Sequence, residues 1–463
     1  MSVFKRYFRA SLTQAVIIGF VSFTQPGIWS AIANLGAGGL QTTGTANTAS
    51  AVLFGIMFLL SPFCSVFINK FGVKPAVVAG TIGFVFWSSG LYLNSKTGAQ
   101  WLVIVGATTC AISASFLWVS EAVVALNYST DGTKGLFVGI WQALNKFGGI
   151  ISGAVTLALN RNTETAGGVS LKTYIVLIAI QCLGLPVSLL LAKPEQIYRP
   201  DGKKTKSNIT NDTFIQSLGK WKDAFLKKEV LCLLPMITFN LWYGTWFSNY
   251  MTHHFSVRVR ALNSLLSALI GFAVDILLGI FLDLKIKRSL RARWSYILGV
   301  VLFTIQHIYG FYMESYFNKH PQSSLDWNDG SEYIKAFLPF QIFKIAGEII
   351  FNWLYWIIGS LNFEPSQVVY VSSIIRSFES LGQCFAFVVG TVNSSDMTNL
   401  AVSAGLFWLA VPSGLYVTWK VSDEVIDTNL IDEEETIEKE PEDDKVEQID
   451  IHRDSKDDSG ASV

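Results

Sequence analysis

Six ionisable residues sit inside apolar runs where lipid makes charge expensive: Glu121, Asp275, Lys344 with Glu348, and Arg376 with Glu379. A charge at the centre of a membrane helix costs about 2.5–3.5 kcal/mol on insertion scales, so each needs a reason. Lys344 and Glu348 stand four apart and Arg376 and Glu379 three apart, so on helices each pair shares a face and can neutralise itself. Two readings stay open for them. They are structural ion pairs that let a polar helix face pack, or the charged lining of a central aqueous cavity. Glu121 and Asp275 have no partner within one helical turn. Such acids are candidates for proton exchange unless a cation on another helix reaches them. Gln25, Trp29, Asn145, Asn240 and Asn249 are further polar candidates for the same cavity.

Other chemistry has no foothold. There is no Walker loop, HExxH, GxSxG or Cys/His metal spacing, so neither an enzyme nor a resident cofactor or metal is expected. The five cysteines lie in or beside apolar runs and read as small hydrophobes. His253-His254 reads as a surface pair near a span end.

The elements that carry these residues are membrane helices. The chain has 463 residues, 51% of them hydrophobic and only 15% charged. Apolar runs of about 20 residues recur, the length that crosses a bilayer core of about 30 Å. The pattern predicts an all-α, polytopic membrane protein of twelve transmembrane helices in two six-helix bundles, with the lipid bilayer as its surroundings. Spans are expected at about 11–33, 47–69, 76–95, 101–126, 136–159 and 171–192, then 229–250, 262–284, 294–316, 333–359, 366–391 and 399–420. Residues 1–192 and 229–420 form the bundles, 193–228 a basic linker, and 421–463 an acidic tail expected to be disordered.

Nine linker residues are Lys or Arg, and the linker has no pattern of a nucleic-acid module. Lys220 to Lys228, with Trp221, Phe225 and Leu226 interleaved, reads as a short helix lying on anionic headgroups. Lys and Arg favour the connections on the linker's side, while Arg258 and Arg260 fall in an outer loop. The positive-inside rule then places linker and both termini in the cytosol, in a plasma membrane or endomembrane. Asn393-Ser-Ser is the sequon on the opposite face and the glycosylation candidate.

Pro26-Gly27 interrupts the first span, either as a packing kink or as a bend around a cavity. In the fifth, Gly135-x3-Gly139 and Gly149-x3-Gly153 permit close helix packing. Two span ends repeat one pattern: Ser65-x3-Asn69-Lys70, with Gly72 and Lys74, and Gly279-x3-Asp283, with Lys285, Lys287 and Arg288. A short polar side chain at a helix end, followed by cations, suits a cytosolic gating loop. The pattern resembles the loop signature of the major facilitator superfamily, with Asn69 and Ser65 departing from its usual Asp and Gly. Further strings are Leu117-Trp118 with Glu121, Asn127-Tyr-Ser129, Gly139-Ile-Trp141, Asn145-Lys-Phe-Gly148, Phe255-Ser-Val-Arg258-Val-Arg260-Ala-Leu-Asn263, and Tyr355-Trp-Ile-Ile-Gly359. Together these resemble the Unc-ninety-three-like branch, whose members are described as channel regulatory or trafficking proteins.

Two functions follow as expectations. One is a secondary transporter that moves a small-molecule substrate by rocking of the two halves. The alternative, implied by the resemblance, is a transport-silent regulator or chaperone of a membrane-protein client.

Overall fold

The computed structural model describes residues 7–40, 43–130, 133–163, 168–199, 204–205, 209–242, 244–322, 324–361, 363–392 and 395–423. The acidic tail beyond Asp423 and the sequon at Asn393 lie outside them. Contacts gather Met1–Val421 into one compact unit.

Twelve transmembrane helices and one linker helix follow in order. The first six are α1 (Ser11–Ala33), α2 (Thr43–Phe71), α3 (Val73–Thr97), α4 (Gln100–Asn127), α5 (Lys134–Asn160) and α6 (Leu171–Leu189). The linker helix is α7 (Phe214–Phe225). The last six are α8 (Lys228–His254), α9 (Val257–Leu282), α10 (Arg288–Lys319), α11 (Ser331–Gly359), α12 (Pro365–Thr391) and α13 (Asp396–Lys420). Among the described residues, nine of these are long and apolar enough to cross a membrane by length and composition. The others of matching length, α5, α11 and α12, carry Lys146, the Lys344–Glu348 pair and the Arg376–Glu379 pair.

Helix ends follow local chemistry. Ser256 and Ser395 cap α9 and α13 by accepting the backbone N–H groups of Val259 and Thr398. Between α2 and α3 the chain turns at Gly72, whose φ of +88° suits glycine. In α1, Phe23–Gly27 forms a π turn around Pro26, which leaves the helix continuous but re-phased.

Among the pairings that join the first six spans to the last six, α5 with α9 and α2 with α12 are the two broadest. Glycines make the first possible. A Cβ on Gly135 would meet Asp283 Oδ1 at 2.6 Å, one on Gly149 would meet Ala268 at 2.9 Å, and one on Gly153 would meet Leu265 Cα at 2.6 Å. Gly139 has more room, with Asp275 O at 3.4 Å. Both small-residue pairs of α5 therefore face α9.

The linker corrects an expectation. Its helix starts at Phe214, behind a capping box of Thr213 and Gln216, and ends at Phe225. It docks on protein: Trp221 Nε1 donates to Ser373 Oγ of α12 at 2.9 Å, and Phe214 stacks on Phe63 of α2 at 6.1 Å. The linker also returns to the start of the chain, where Tyr198 N–H donates to Arg9 O at 3.0 Å, so the beginning of α1 and the linker share one face.

Arg258 and Arg260 likewise depart from the outer-loop assignment, because both lie in the first turn of α9 and both are buried. Arg258 grips Asp326 with Nε at 2.6 Å and with Nη2, and its guanidinium lies 4.4 Å over the Trp327 ring. Burial pushes the Asp326 carboxyl up, but hydrogen bonds from Arg258 and Ser256 outweigh it and hold the group below its ordinary 3.8. A depressed carboxyl stabilises the fold above its unfolded value and loses that contribution as pH falls through the folded one. Thermal melts of Asp326→Asn and the parent should therefore differ by a constant offset from about pH 5 to pH 8 and converge only in strong acid. An offset that vanished near pH 6 would remove this assignment.

The α5–α9 seam makes a second prediction. Gly153→Ala drives a methyl into backbone and should cost about 1–3 kcal/mol, whereas Gly139→Ala should be nearly neutral. Melting of the two variants in detergent checks the order.

Candidate functional site

Between the two sets of six spans lies a central cavity of about 180 Å³, with walls from α1 to α5 and from α8, α11 and α12. One ordered water needs about 10–15 Å³ on this scale, so the space suits on the order of a dozen waters or one small organic molecule. Aromatic rings supply much of the wall. Trp29 meets Phe54 edge-on at 6.0 Å, Phe54 stacks on Phe387 at 5.8 Å, and Trp118, Phe343 and Phe351 close other sides.

An ionic layer crosses this wall. Glu348 Oε1 lies 2.9 Å from Lys146 Nζ of α5 and 2.8 Å from Lys344 Nζ of its own helix. Behind it Asp275 is fully buried and accepts the Asn352 amide at 2.7 Å, and Asn352 also donates to Glu348 O one turn back. Across the cavity Arg376 lies 3.2 Å from Glu379 and 4.8 Å over the Trp118 ring. Glu379 is held from behind by Asn240 at 2.5 Å, and Tyr355 OH donates to it at 3.4 Å. Glu121 accepts the Trp141 indole N–H at 3.1 Å.

The candidates thus separate. Trp29, Lys344, Glu348 and Arg376 line the cavity. Glu121, Asn145, Asn240, Asp275 and Glu379 are buried in the layer behind it, where Asn145 donates to Ser22 Oγ at 3.0 Å. Gln25 points elsewhere, donating to Gln181 O of α6 at 2.7 Å. Gln25 lies inside the π turn of Phe23–Gly27 and turns to α6, while Trp29, just beyond it, lines the cavity. Lys146, Trp118, Gln142, Asn47 and Gln383 also line the cavity. Lys146 had a legible signal, a lysine near the centre of an apolar run, the criterion that singles out Lys344.

Both ends of the cavity are bridged by bonds between the two sets of spans. On the linker face, Asp283 at the end of α9 accepts the first free N–H groups of α5, from Gly135 at 3.0 Å and Leu136 at 2.6 Å. Lys134 Nζ donates to Gly359 O of α11 at 2.6 Å. The matching position at the end of α2 is Asn69, whose amide reaches Ser366 O at the start of α12 at 3.5 Å. An amide donating to a carbonyl there stands in for a carboxylate receiving N–H groups, so the two loops are alike in place and unlike in charge. Around them Lys74 Nζ donates to Leu189 O at 2.9 Å, Arg288 donates to Ser360 O at 3.0 Å, and Lys70 lies over Phe71, while Lys285 and Lys287 are exposed.

On the opposite face, Arg260 Nε donates to Leu35 O at 2.5 Å and its Nη2 to Gly36 O at 2.8 Å, capping the end of α1. Asn263 and Ser264 of α9 donate to Asn34 O and Ala31 O at 3.2 and 2.8 Å. Asn47 of α2 donates to Asn249 Oδ1 of α8 at 3.2 Å. On this face the His253–His254 pair meets protein, His253 Nδ1 lying 2.7 Å from Asp396.

A cavity between two sets of six spans, closed at both ends by bonds between them, is the architecture of a membrane transporter. Residues 11–387 match the Major Facilitator Superfamily, and the chain belongs to that family, in its UNC93-like branch. It is 28% identical to the Notoamide biosynthesis cluster protein O' of Aspergillus versicolor over 90% of each chain. It is 26% identical to an UNC93-like protein of Schizosaccharomyces pombe (89% of this chain, 82% of that one) and 24% to UNC93-like protein 1 of Arabidopsis thaliana (88% and 89%). A bacterial homologue of the iron transporter ferroportin, in an outward-facing state, shares the fold with a TM-score of 0.62 at 12% identity (88% of this chain, 98% of that one). A proton:xylose symporter does so with a TM-score of 0.59 at 13% identity (90% and 97%).

The ionic layer makes its own prediction. Glu348→Gln leaves two half-buried ammonium groups facing each other at the cavity wall and should cost about 1–3 kcal/mol. Lys146→Met leaves the Lys344–Glu348 pair intact and should cost clearly less. Melting temperatures in detergent test the order, and equal losses would mean that Glu348 is not the shared counter-ion.

Proposed function

We propose that the protein is a secondary transporter, not an enzyme, that carries a small solute through the central cavity by alternating access. The carrying observation is the double bridging: one charged cavity, spanned at each end by a different set of bonds between the first six spans and the last six. Rocking of 1–192 against 229–420, with 193–228 as the joint, would break one set while keeping the other. The Lys/Arg distribution supports a cytosolic linker face, with both termini on that side. A regulator or chaperone of a client protein, the reading that the UNC93-like resemblance implies, needs no polar cavity with two separate closures.

The closures are made by different residues, which makes the reading testable without knowing the solute. Losing a carboxylate helix cap costs about 1 kcal/mol, enough to move a two-state equilibrium about fivefold. A thiol reporter in the cavity, Ser50→Cys in a Cys110→Ser background, reads access through an impermeant reagent added to either side of sealed vesicles. Asp283→Ala should raise labelling about fivefold from the linker side, and Arg260→Ala should raise it from the other. Labelling that rises from the same side in both variants, or in neither, would sink alternating access through this cavity.

A further inference from the structure

Resting on the transporter reading, we infer that the cavity takes a small organic monoanion with a flat apolar or aromatic body. What a solute would meet first decides this. Three cations line the space, Lys146, Lys344 and Arg376, against the single carboxylate of Glu348, whose charge both lysines share. The other three acids do not line it. Asp275 and Glu121 stand one layer back, held by Asn352 and Trp141, and Glu379 stands there too, held by Asn240 and paired through one oxygen with Arg376, whose Nε is left for a solute. The carboxylates are short and fixed, while the cations reach inward on long stems.

Hydrogen-bond valence points the same way. The indole Nε1 of Trp29, the Nε of Arg376 and the amide nitrogens of Gln142 and Gln383 are buried without a partner, and all four residues line the cavity. Indole and guanidinium cannot act as acceptors, so whatever satisfies them must bring lone pairs. Asn47 Oδ1 is the one buried acceptor atom of the lining left in the same condition among the described residues. A carboxylate offers acceptor sites to several donors at once, and Arg376 presents a planar fork suited to it. The rest of the wall selects the body of the solute: the Phe54–Phe387 stack, with Trp118, Phe343 and Phe351, leaves flat apolar faces and few polar anchors. A cationic solute would find one carboxylate, already doubly engaged.

The test uses the full chain, purified in detergent, and a matched set of probes: benzoate, benzamide, benzylamine and acetate. Binding is read by tryptophan fluorescence, which Trp29 and Trp118 report, and by thermal shift. Benzoate should bind saturably, at least about tenfold more tightly than benzamide, benzylamine or acetate. Arg376→Gln should weaken benzoate about tenfold or more and leave benzamide within about twofold, and Lys146→Gln gives the same contrast if Arg376→Gln does not fold. Benzamide or benzylamine binding as well as benzoate, or no saturable binding of benzoate up to about 10 mM, overturns the anion assignment. The labelling experiment needs no solute, so the two readings fail separately. Alternating access without benzoate binding removes the anion and keeps the transporter. Benzoate binding without alternating access keeps the anion site and removes transport.

Discussion

Charge inside a membrane protein must be neutralised where it stands, and the contact of Glu348 with Lys146 and Lys344 is where this protein meets that constraint. Separated, each of the three groups would carry a desolvation penalty of several kcal/mol, and packed together they share it. The arrangement also fixes which helices can be neighbours. Lys146 comes from α5 and Glu348 from α11, so the ion cluster joins the first six spans to the last six at the depth of the cavity. The spans that bear these charges are shielded by more apolar ones, which face lipid with Leu277, Ile308 and Leu409. Polarity at the centre and apolarity at the rim are one solution to one cost.

The same logic explains why the acids divide into two layers. A carboxylate with donors on both oxygens, such as Glu379 with Asn240, Tyr355 and Arg376, is satisfied without solvent and can sit deep, whereas Asp275 has the Asn352 amide on one oxygen only. A lysine has three donors and no acceptor, so it needs either a carboxylate or water, and both lysines keep a small part of their side chains exposed toward the cavity. Position in the wall thus follows from hydrogen-bond valence as much as from charge.

The spans, their order and the inward-facing ion pairs were legible because hydropathy and helical spacing are local properties. Lys344 and Glu348 announce themselves at a spacing of four. Lys146 completes the cluster from a helix some 200 residues earlier, and no local rule pairs residues at that distance. Gln25 shows a different limit. The break at Pro26-Gly27 was visible, but the direction in which each side chain beside it turns was not, and Gln25 turns to α6. Arg260 shows a third: two arginines beside a span end resemble an outer loop, but the helix begins earlier, at Val257, and carries both into the protein. The likeness of the two loop signatures was visible, and so was the departure at Asn69, which the structure turns into a weaker amide contact opposite the Asp283 cap.

One helix touches every part of this arrangement. Helix α9 begins with Arg260, Asn263 and Ser264 bound to the end of α1, passes Asp275 behind the ion cluster, and ends with Asp283 on the first turn of α5. Its 26 residues make a rod about 39 Å long. A rod of regular helix transmits tilt more readily than it bends, so motion that lifts one end presses the other toward its partner. The glycine seam along α5 offers few interlocking side chains to resist that tilt. On the alternating-access reading proposed above, the two closures are the alternatives that this single rigid element would impose, with the ion cluster lying between them.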